Sequence, residues 1–264
     1  MIRVGVIGAL GKMGRMVCQG VAEDSDLNLV GAIDRTREGG SIGPLIGQPK
    51  QDVVVSSQLE TLLQAETEVA VDFTRPAEVM NTIRWAIDHG LHIVVGTTGI
   101  GPSELEHIRG WLDAEAGGSN VIVSPNFSVG AVVAQRFVEE AARHFPAVEI
   151  IELHHDQKVD APSGTAAVTA ERIAKARQEP WAGPEEENVP GVRGGDVDGV
   201  RVHSVRLPGL VAHQEVMFGG PGQSLTIRHD AYDRSCYMPG VLLAIKQVAQ
   251  RPGLTVGLEP LLGL

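Results

Sequence analysis

The chain has 264 residues, of which 43% are hydrophobic and 21% charged, and its formal net charge is −11 at pH 7. This composition is typical of a globular protein with a sizeable core and excludes the disordered and fibrous classes. The acidic balance argues against a nucleic-acid partner, because displacing counterions from phosphates requires a basic face. No apolar run approaches the ~20 residues of a membrane span, and the N-terminus enters a strand rather than a signal peptide. We therefore expect a cytoplasmic protein with no membrane partner, and Cys18 and Cys236 predict no disulfide framework.

The N-terminal segment has the pattern of a dinucleotide site. A predicted buried strand, Arg3 to Ile7, runs directly into the turn Gly8-Ala9-Leu10-Gly11-Lys12-Met13-Gly14, which opens an apolar-periodic helix. A second strand, Leu27 to Ile33, ends at Asp34, about twenty positions beyond the last glycine. Glycines let the backbone approach a pyrophosphate, and the carboxylate accepts hydrogen bonds from the adenosine ribose. Leu10 replaces the middle glycine of the G-x-G-x-x-G fingerprint, so the match is incomplete.

Two adjacent side chains favour different nicotinamide cofactors. Asp34 suits the free 2′-hydroxyl of NADH, whereas the guanidinium of Arg35 can hold the 2′-phosphate of NADPH. The sequence therefore predicts a nicotinamide cofactor and leaves NADH and NADPH both open. The alternative is that the glycines are ordinary α/β turn glycines and that Asp34 only ends a strand.

Strands and helices continue to alternate after the second strand. The predicted strands are Val53 to Val55, Val69 to Phe73, His92 to Val95 and Val121 to Val123, and the helices between them are Leu59 to Leu63, Ala77 to His89 and Glu104 to Ala114. This alternation predicts a Rossmann-type, doubly wound parallel sheet with ligands at the carboxyl ends of its strands. Three segments at those ends, Asp72 to Thr74, Gly96 to Gly99 and Ser124 to Phe127, are expected to contact the nicotinamide half of the cofactor.

The pattern changes after a predicted helix from Val129 to His144. The strands Val148 to Leu153, Val200 to Arg206, Gln214 to Phe218 and Ser224 to His229 are separated mainly by loops and turns. They predict a second α+β domain with a mostly antiparallel sheet. Residues 179–199, rich in glycine, proline and acid, are expected to form a surface excursion, and Met238 to Ala249 a helix that returns to the first domain. The predicted boundaries are residues 1–127 and 237–264 for the dinucleotide-binding domain, and 128–236 for substrate binding and oligomerisation.

The loop between Glu152 and Thr165 gathers the residue types of acid–base chemistry. His154 and His155 leave a predicted strand, Lys158 follows, and Ser163 is a plausible N-cap of the next helix. A helix N-terminus offers free N–H groups and a positive dipole end to an anion, and Gly164 leaves room for the ligand. The loop is thus predicted to bind an acid and protonate it, the alternative being a polar loop that only enters a capped helix.

The same loop contains four possible metal ligands, His154, His155, Asp156 and Asp160. Adjacent histidines at the end of a strand point away from each other. Their spacing matches neither H-E-x-x-H nor a cysteine–histidine zinc pattern. We therefore predict no metal site.

Six sequence blocks carry a resemblance to a known family. They are G-A-L-G-K-M-G from Gly8, D-F-T-R-P from Asp72, G-T-T-G from Gly96, P-N-F-S-V-G from Pro125, E-L-H-H-D-Q-K-V-D-A-P-S-G-T-A from Glu152 and M-P-G-V-L-L-A-I from Met238. In this order, over nearly the whole chain, the sequence resembles the 4-hydroxy-tetrahydrodipicolinate reductase (dihydrodipicolinate reductase) family of the diaminopimelate route to lysine. The block from Glu152 is highly specific, whereas many dehydrogenases share the glycine turn.

The resemblance implies an NAD(P)H-dependent oxidoreductase that reduces a cyclic imine carrying two carboxylates, and a homotetramer. It implies that His154 is the proton donor or acceptor, Lys158 the second acid, His155 a substrate contact, and Gly164 with Thr165 the carboxylate cradle. The cofactor would be held by Gly8, Ala9, Leu10, Gly11, Lys12, Met13, Asp34, Arg35, Gly96, Thr97, Thr98, Ser124, Pro125, Asn126 and Phe127. The sequence does not decide which of Arg193, Arg201 and Arg206 reaches the substrate.

Two other functions are compatible with the nucleotide pattern. The first is another two-domain amino-acid oxidoreductase, such as an aspartate dehydrogenase, which has no reason to keep two histidines and Lys158 before S-G-T. The second is a non-catalytic sensor that binds NADPH and oxidises none of it.

Overall fold

A computed structural model describes residues 1–115, 118–177, 183 and 186–264. The chain divides into two compact units, Met1–Val129 with Tyr237–Leu264, and Gly130–Cys236. Within the described ranges, no helix is long and apolar enough to cross a membrane. Cys18 and Cys236 are free, and burial raises the pKa of the Cys18 thiol to about 12, so this thiol is unreactive at neutral pH.

The strands and helices follow one another along the chain. They are β1 Ile2–Ile7, α1 Lys12–Glu23, β2 Leu27–Ile33, β3 Val55–Ser56, α2 Glu60–Gln64, β4 Val69–Asp72, α3 Pro76–Asp88, β5 His92–Val95, α4 Pro102–Ala114, β6 Asn120–Val123, α5 Val129–Ala142, β7 Ala147–His154, α6 Gly164–Ala176, β8 Gly195–Val197, β9 Val200–Arg206, β10 Ala212–Gly220, β11 Gln223–Ala231, α7 Met238–Gln247, β12 Gly253–Val256 and α8 Glu259–Leu262. Short 3₁₀ segments lie at Gly43–Ile46, Arg234–Tyr237 and Val248–Gln250.

The first unit is built on a seven-stranded sheet in the order β12-β6-β5-β4-β1-β2-β3, and every neighbouring pair is parallel. Strands β4 and β6 are buried at every position, as expected where helices cover both faces of a parallel sheet. The strand order reverses between β1 and β4, which opens a crevice at the carboxyl ends of these strands. The prediction of a Rossmann-type doubly wound sheet is confirmed.

The second unit contains a five-stranded sheet in the order β11-β10-β7-β9-β8. Three of its strand pairs are antiparallel, and β7 pairs with β9 in parallel. Along β7, Val148, Ile150 and Glu152 are buried and alternate with less buried residues, so one face of the strand packs on the core formed with α5 and α6. The prediction of a second domain with a mostly antiparallel sheet is confirmed.

Some boundaries differ from the predictions. The strand predicted at Val53 to Val55 is present but shifted, because β3 is Val55–Ser56 and Val54 only bridges to Ser41. Strand β12 and helix α8 were not predicted, since each spans four residues and is too short to show periodicity. Of the predicted excursion at 179–199, residues 179–182 and 184–185 lie outside the described residues. The described remainder is mostly exposed, as predicted, and it also contains the short strand β8, which was not predicted.

Candidate active site

The predicted nucleotide turn joins β1 to α1 in a conformation that requires glycine. Gly8 has φ +82°, and a Cβ added there would lie 2.5 Å from the carbonyl oxygen of Phe73. Helix α1 then begins at Lys12 behind Gly11, which supplies no side-chain cap. The first N–H groups of α1 are therefore available to an anion such as a pyrophosphate.

Asp34, at the end of β2, is 8% exposed and faces the turn. Its carboxylate accepts hydrogen bonds from the N–H of Leu10 at 2.9 Å, and from the N–H and hydroxyl of Thr36 at 2.9 and 2.5 Å. Burial alone would raise the pKa of Asp34, but these hydrogen bonds hold it below its usual value. The side chain is thus an ionised acceptor, the form that suits ribose hydroxyls.

A cavity of about 340 Å³ lies beside Asp34. The turn glycines Gly8 and Gly11 line it on one side, and Arg35 and Glu78 line it on another. The guanidinium of Arg35 lies 2.5 Å from the carboxylate of Glu78, and its side chain is 67% exposed. The glycine turn, the ionised acceptor and the basic residue together fit the adenosine half of a nicotinamide cofactor.

Gly8→Ala should abolish tight cofactor binding. The substitution forces a side chain into a left-handed backbone conformation and against a carbonyl oxygen, at a cost of about 1–3 kcal/mol in folding stability. The readouts are calorimetric affinity for NADH and NADPH and the midpoint of thermal unfolding, with Gly110→Ala on α4 as control, because a Cβ there meets nothing within 4 Å. Unchanged cofactor affinity in a folded Gly8→Ala protein would contradict this role of the turn.

Asp72 ties together two of the predicted strand-end segments. It is fully buried at the end of β4 and accepts hydrogen bonds from the N–H and hydroxyl of Thr74 and from the hydroxyl of Thr97, the last at 2.6 Å. Burial raises the pKa of this carboxyl group, and its Oδ2 has no partner among the described residues. The loops after β4 and β5 are thereby fixed to each other.

The third predicted segment is ordered by its own side chains. The hydroxyl of Ser124 donates to the carbonyl of Asn126 at 2.8 Å, and the side chain of Asn126 accepts the N–H of Ser128 at 2.9 Å. Phe127 is buried with its ring centroid 6.1 Å from that of Phe73. The segments after β4, β5 and β6 therefore meet at one edge of the sheet, and their contact with the nicotinamide half stays a prediction.

In the second unit, β7 ends at His154, whose side chain is 15% exposed. The Nδ1 atom of His154 lies 2.5 Å from the carboxylate of Glu152, which is fully buried and ion-paired with Arg206. Burial lowers the pKa of His154; the carboxylate of Glu152 opposes this, and the charges of Lys158 and Arg206 add to the decrease. The imidazole is therefore neutral at pH 7 in the free protein.

Lys158 belongs to the loop that follows. Its ammonium group lies 2.7 Å from both carboxylate oxygens of Asp160, and the side chain is 21% exposed. Its charge lowers the pKa of His154, so the predicted second acid lies within electrostatic reach of the imidazole. The backbone N–H of Lys158 donates to the carbonyl of His155, which closes the turn after the second histidine.

Helix α6 begins at Gly164, and its predicted cap is confirmed, because the hydroxyl of Ser163 accepts the N–H of Ala166 at 3.2 Å. A Cβ added to Gly164 would meet nothing within 4 Å. In the described part of the chain, no acceptor engages the N–H of Gly164 or Thr165. The loop thus brings His154 and Lys158 together beside a helix N-terminus that can receive an anion.

The sequence alone indicates no role for Glu152, and Arg206 is one of three arginines that it leaves open as substrate contacts. The structure places Arg206 on Glu152, and it places Arg193 on Glu149. The available signal was the alternation of β7, since Glu152 shares its face with Val148 and Ile150 and a carboxylate on a buried face requires a partner.

The first unit contains a doubly wound sheet with a dinucleotide turn, and the second unit contains a loop with the residue types of acid–base chemistry. This combination defines the class of two-domain nicotinamide-dependent oxidoreductases. The model of the family "Dihydrodipicolinate reductase, N-terminus" matches residues 2–127, and that of "Dihydrodipicolinate reductase, C-terminus" matches residues 130–262. The chain belongs to the dihydrodipicolinate reductase family.

Relatives and a solved structure agree with this assignment. The chain is 49% identical to a 4-hydroxy-tetrahydrodipicolinate reductase of Nocardia farcinica and to one of Corynebacterium aurimucosum, over 100% of this chain and 99% of each relative. A dipicolinate-bound dihydrodipicolinate reductase from Paenisporosarcina sp. TG-14 is 40% identical and has a TM-score of 0.86, over 98% of this chain and 99% of that one.

The prediction of an NAD(P)H-dependent reductase of the lysine and diaminopimelate route is confirmed. Neither the aspartate dehydrogenase nor the non-catalytic sensor is favoured by these relatives. The role of each site residue, the homotetramer and the cytoplasmic location stay predictions.

Proposed function

We propose that this reductase binds 4-hydroxy-tetrahydrodipicolinate on the loop 152–165 and converts it to tetrahydrodipicolinate there. The observation that carries the proposal is the free N-terminus of α6 beside His154 and Lys158. The N–H groups of Gly164 and Thr165 have no acceptor among the described residues, and open space lies over Gly164. These two N–H groups hold one carboxylate of the substrate, and the dipole of α6 adds to the attraction.

The substrate chemistry supports this placement. The Paenisporosarcina relative is described as binding dipicolinate, a six-membered ring with two carboxylates. A dianion requires local positive charge in a chain whose net charge is −11. The ammonium group of Lys158 and the N-terminus of α6 supply this positive charge, and screening keeps the distant surface carboxylates from cancelling it. His155 is the additional contact to the ring or to its second carboxylate.

When bound, NADH or NADPH supplies a hydride to C4 of the ring after the 4-hydroxyl group has left as water. Negative charge then builds on the conjugated nitrogen–carbon system of the substrate. The ammonium group of Lys158 stabilises this charge more strongly in the transition state than in the ground state. His154 and Lys158 are the groups that exchange protons with the substrate. The neutral imidazole takes up a proton when the dianion binds, and its side chain, 15% exposed, is largely shielded from bulk water.

The first unit supplies the cofactor residues. Gly8 to Met13 receive the pyrophosphate at the start of α1, Asp34 accepts the ribose hydroxyls, and Arg35 contacts the 2′-phosphate when NADPH is bound. Gly96 to Thr98 and Ser124 to Phe127 contact the nicotinamide half. A cytoplasmic homotetramer is part of the proposal and rests on the family resemblance.

A coupled assay tests the function and the cofactor choice together. The condensation product of pyruvate and aspartate semialdehyde is offered with NADH or NADPH, and the expected result is oxidation of the cofactor. Arg35→Ala should raise KM for NADPH about tenfold and leave KM for NADH nearly unchanged, because one charge-assisted contact is worth about 1.5–3 kcal/mol. Arg37→Ala is the matched control. Binding of cofactor without oxidation of either form would contradict the proposed reaction.

A further inference from the structure

The carboxylate of Glu152 is the centre of a buried hydrogen-bond network behind His154. The side chain has no exposed surface. Its Oε1 accepts the N–H of Ser163 at 3.1 Å and Nη2 of Arg206 at 2.8 Å. Its Oε2 accepts Nη1 of Arg206 at 2.8 Å and lies 2.5 Å from Nδ1 of His154. One side chain therefore joins the imidazole, the guanidinium and the N-cap residue of α6.

The charge of Glu152 determines which way its bond to His154 runs. Burial would raise the pKa of this carboxyl group, but the hydrogen bonds from Arg206 and from its other partners hold the pKa below its usual value. The pKa of Arg206 is raised in turn, chiefly by its hydrogen bonds to Glu152. An ionised carboxylate only accepts hydrogen bonds, so Nδ1 of His154 must be the donor.

This assignment leaves Nε2 of the neutral imidazole without a proton. In the described chain no hydrogen-bond partner engages Nε2. The charged groups around His154 are Glu152 on its own strand, Arg206 on β9, and the Lys158–Asp160 pair on the loop. Because burial lowers the pKa of the imidazole, and the charges of Lys158 and Arg206 lower it further, His154 is the neutral member of this group at neutral pH.

We propose that Glu152 is the positioning residue of the proton-transfer step: clamped by Arg206 and by the N–H of Ser163, it holds His154 with the proton on Nδ1 and directs Nε2 to the substrate. The inference rests on the proposed function, since it assumes that His154 exchanges the proton. It adds a residue that touches neither substrate nor cofactor and acts through the imidazole. It also links the acid–base residue to the anion-binding helix, because Ser163 caps α6.

A second carboxylate on the same strand provides a matched control. Glu149 also pairs with an arginine and a histidine, Arg193 and His203, and Nε2 of His203 lies 2.8 Å from it. Glu149 is three residues from Glu152 and so lies on the opposite face of the sheet. Glu149→Gln removes one carboxylate charge from a second arginine–histidine trio, on the face of the sheet opposite Glu152.

The experiment compares Glu152→Gln, Glu149→Gln and His154→Ala in the full-length enzyme. Long-range ¹⁵N–¹H spectra of histidine-labelled protein report the tautomer, and the His154 signal is the one that His154→Ala lacks. We expect the Nδ1–H form in the parent chain and in Glu149→Gln, and a mixture of tautomers in Glu152→Gln.

Because a positioned acid–base group contributes roughly 10²–10⁴-fold to the rate, Glu152→Gln should lower kcat at least ~10-fold with cofactor KM nearly unchanged. Its pH profile for kcat/KM should shift to lower pH, because the carboxylate that stabilises the imidazolium is gone.

The results distinguish a failure of the proposed function from a failure of the inference about Glu152. If His154→Ala keeps the turnover of the parent chain, the proposed role of His154 is wrong, whatever Glu152 does. If His154→Ala is inactive while Glu152→Gln keeps the parent tautomer, kcat and pH profile, the inference about Glu152 is overturned and the proposed function stands. Should Glu152→Gln fail to fold, Glu152→Asp retains the charge at a shorter reach, and it must then show the mixed tautomer and a lowered kcat for the inference to hold.

Discussion

Replacing Lys158 by alanine should lower kcat by roughly 10²–10⁴-fold while changing KM for NADH or NADPH by less than about twofold. The charge of the ammonium group acts on His154, so its loss removes stabilisation of the negative charge that develops on the substrate. Lys158 is not part of the nucleotide turn, so cofactor binding should be unaffected. The contact with Asp160 at 2.7 Å shows that this lysine is held in place rather than extended into solvent. Steady-state kinetics with each cofactor, at saturating substrate, give the required separation of kcat from KM.

A control for the loss of charge comes from α6. Lys175 is the basic residue of the last turn of α6, so Lys175→Ala removes the same charge far from the helix N-terminus. We expect it to retain the parent kcat. Lys158→Arg tests geometry, because the guanidinium keeps the charge and gives up almost no protons at neutral pH. If Lys158→Ala turned over substrate at the parent rate, Lys158 would have no part in the reaction.

The parts of the fold that follow from local pattern were predicted well. Strands β2 and β5 match their predicted limits, since each is a short apolar run bounded by turn residues. Asp34 falls at the end of such a strand, so its position beside the glycine turn follows from the order of elements alone. The alternation of strands and helices in the first domain leaves few topologies other than a parallel sheet.

The contacts of the loop 152–165 could not be predicted from the sequence. Glu152 and Arg206 are 54 residues apart, and only the parallel pairing of β7 with β9, which places His154 opposite Arg206, brings them together. That pairing arises because α6 carries the chain between the two strands, whereas the turn-rich pattern of the second domain favoured antiparallel neighbours. The sequence therefore shows which residue types the site contains, but it does not show which of them form hydrogen bonds or ion pairs with one another.

Asp72 shows the same limit in the first unit. The sequence places D-F-T at the end of a strand, and turn chemistry explains Asp and Thr at such a position. The structure shows in addition that the carboxylate reaches Thr97 on the neighbouring strand end at 2.6 Å. Contacts of this kind depend on the order of the strands, which local periodicity does not encode.

Removing the imidazole of His154 should lower kcat nearly as much as removing the ammonium group of Lys158. His154→Gln is expected to lower kcat by about 10²–10⁴-fold, because glutamine can donate a hydrogen bond but cannot exchange a proton near neutral pH. His144→Gln is the matched control, since His144 is a surface histidine with 68% of its side chain exposed. Turnover within about threefold of the parent chain would contradict the acid–base role of His154.

The pH dependence of ligand binding gives a second, independent readout of His154. Burial lowers the pKa of this imidazole in the free protein, and the charges of Lys158 and Arg206 lower it further. A dicarboxylate beside it favours the imidazolium and raises the pKa in the complex. The added affinity is therefore fully present below the pKa of the free protein and is lost as pH rises through the higher pKa of the complex.

Dipicolinate should accordingly bind more tightly as pH is lowered from about 8 to about 6, by roughly tenfold for each unit of difference between the two pKa values. Calorimetry in buffers of different ionisation enthalpy should register proton uptake on binding, and His154→Gln should remove the component that belongs to His154. His155→Gln separates any uptake by the neighbouring imidazole. Proton uptake that is undiminished in His154→Gln would place the titrating group elsewhere in the loop and leave His154 without contact to the bound dianion.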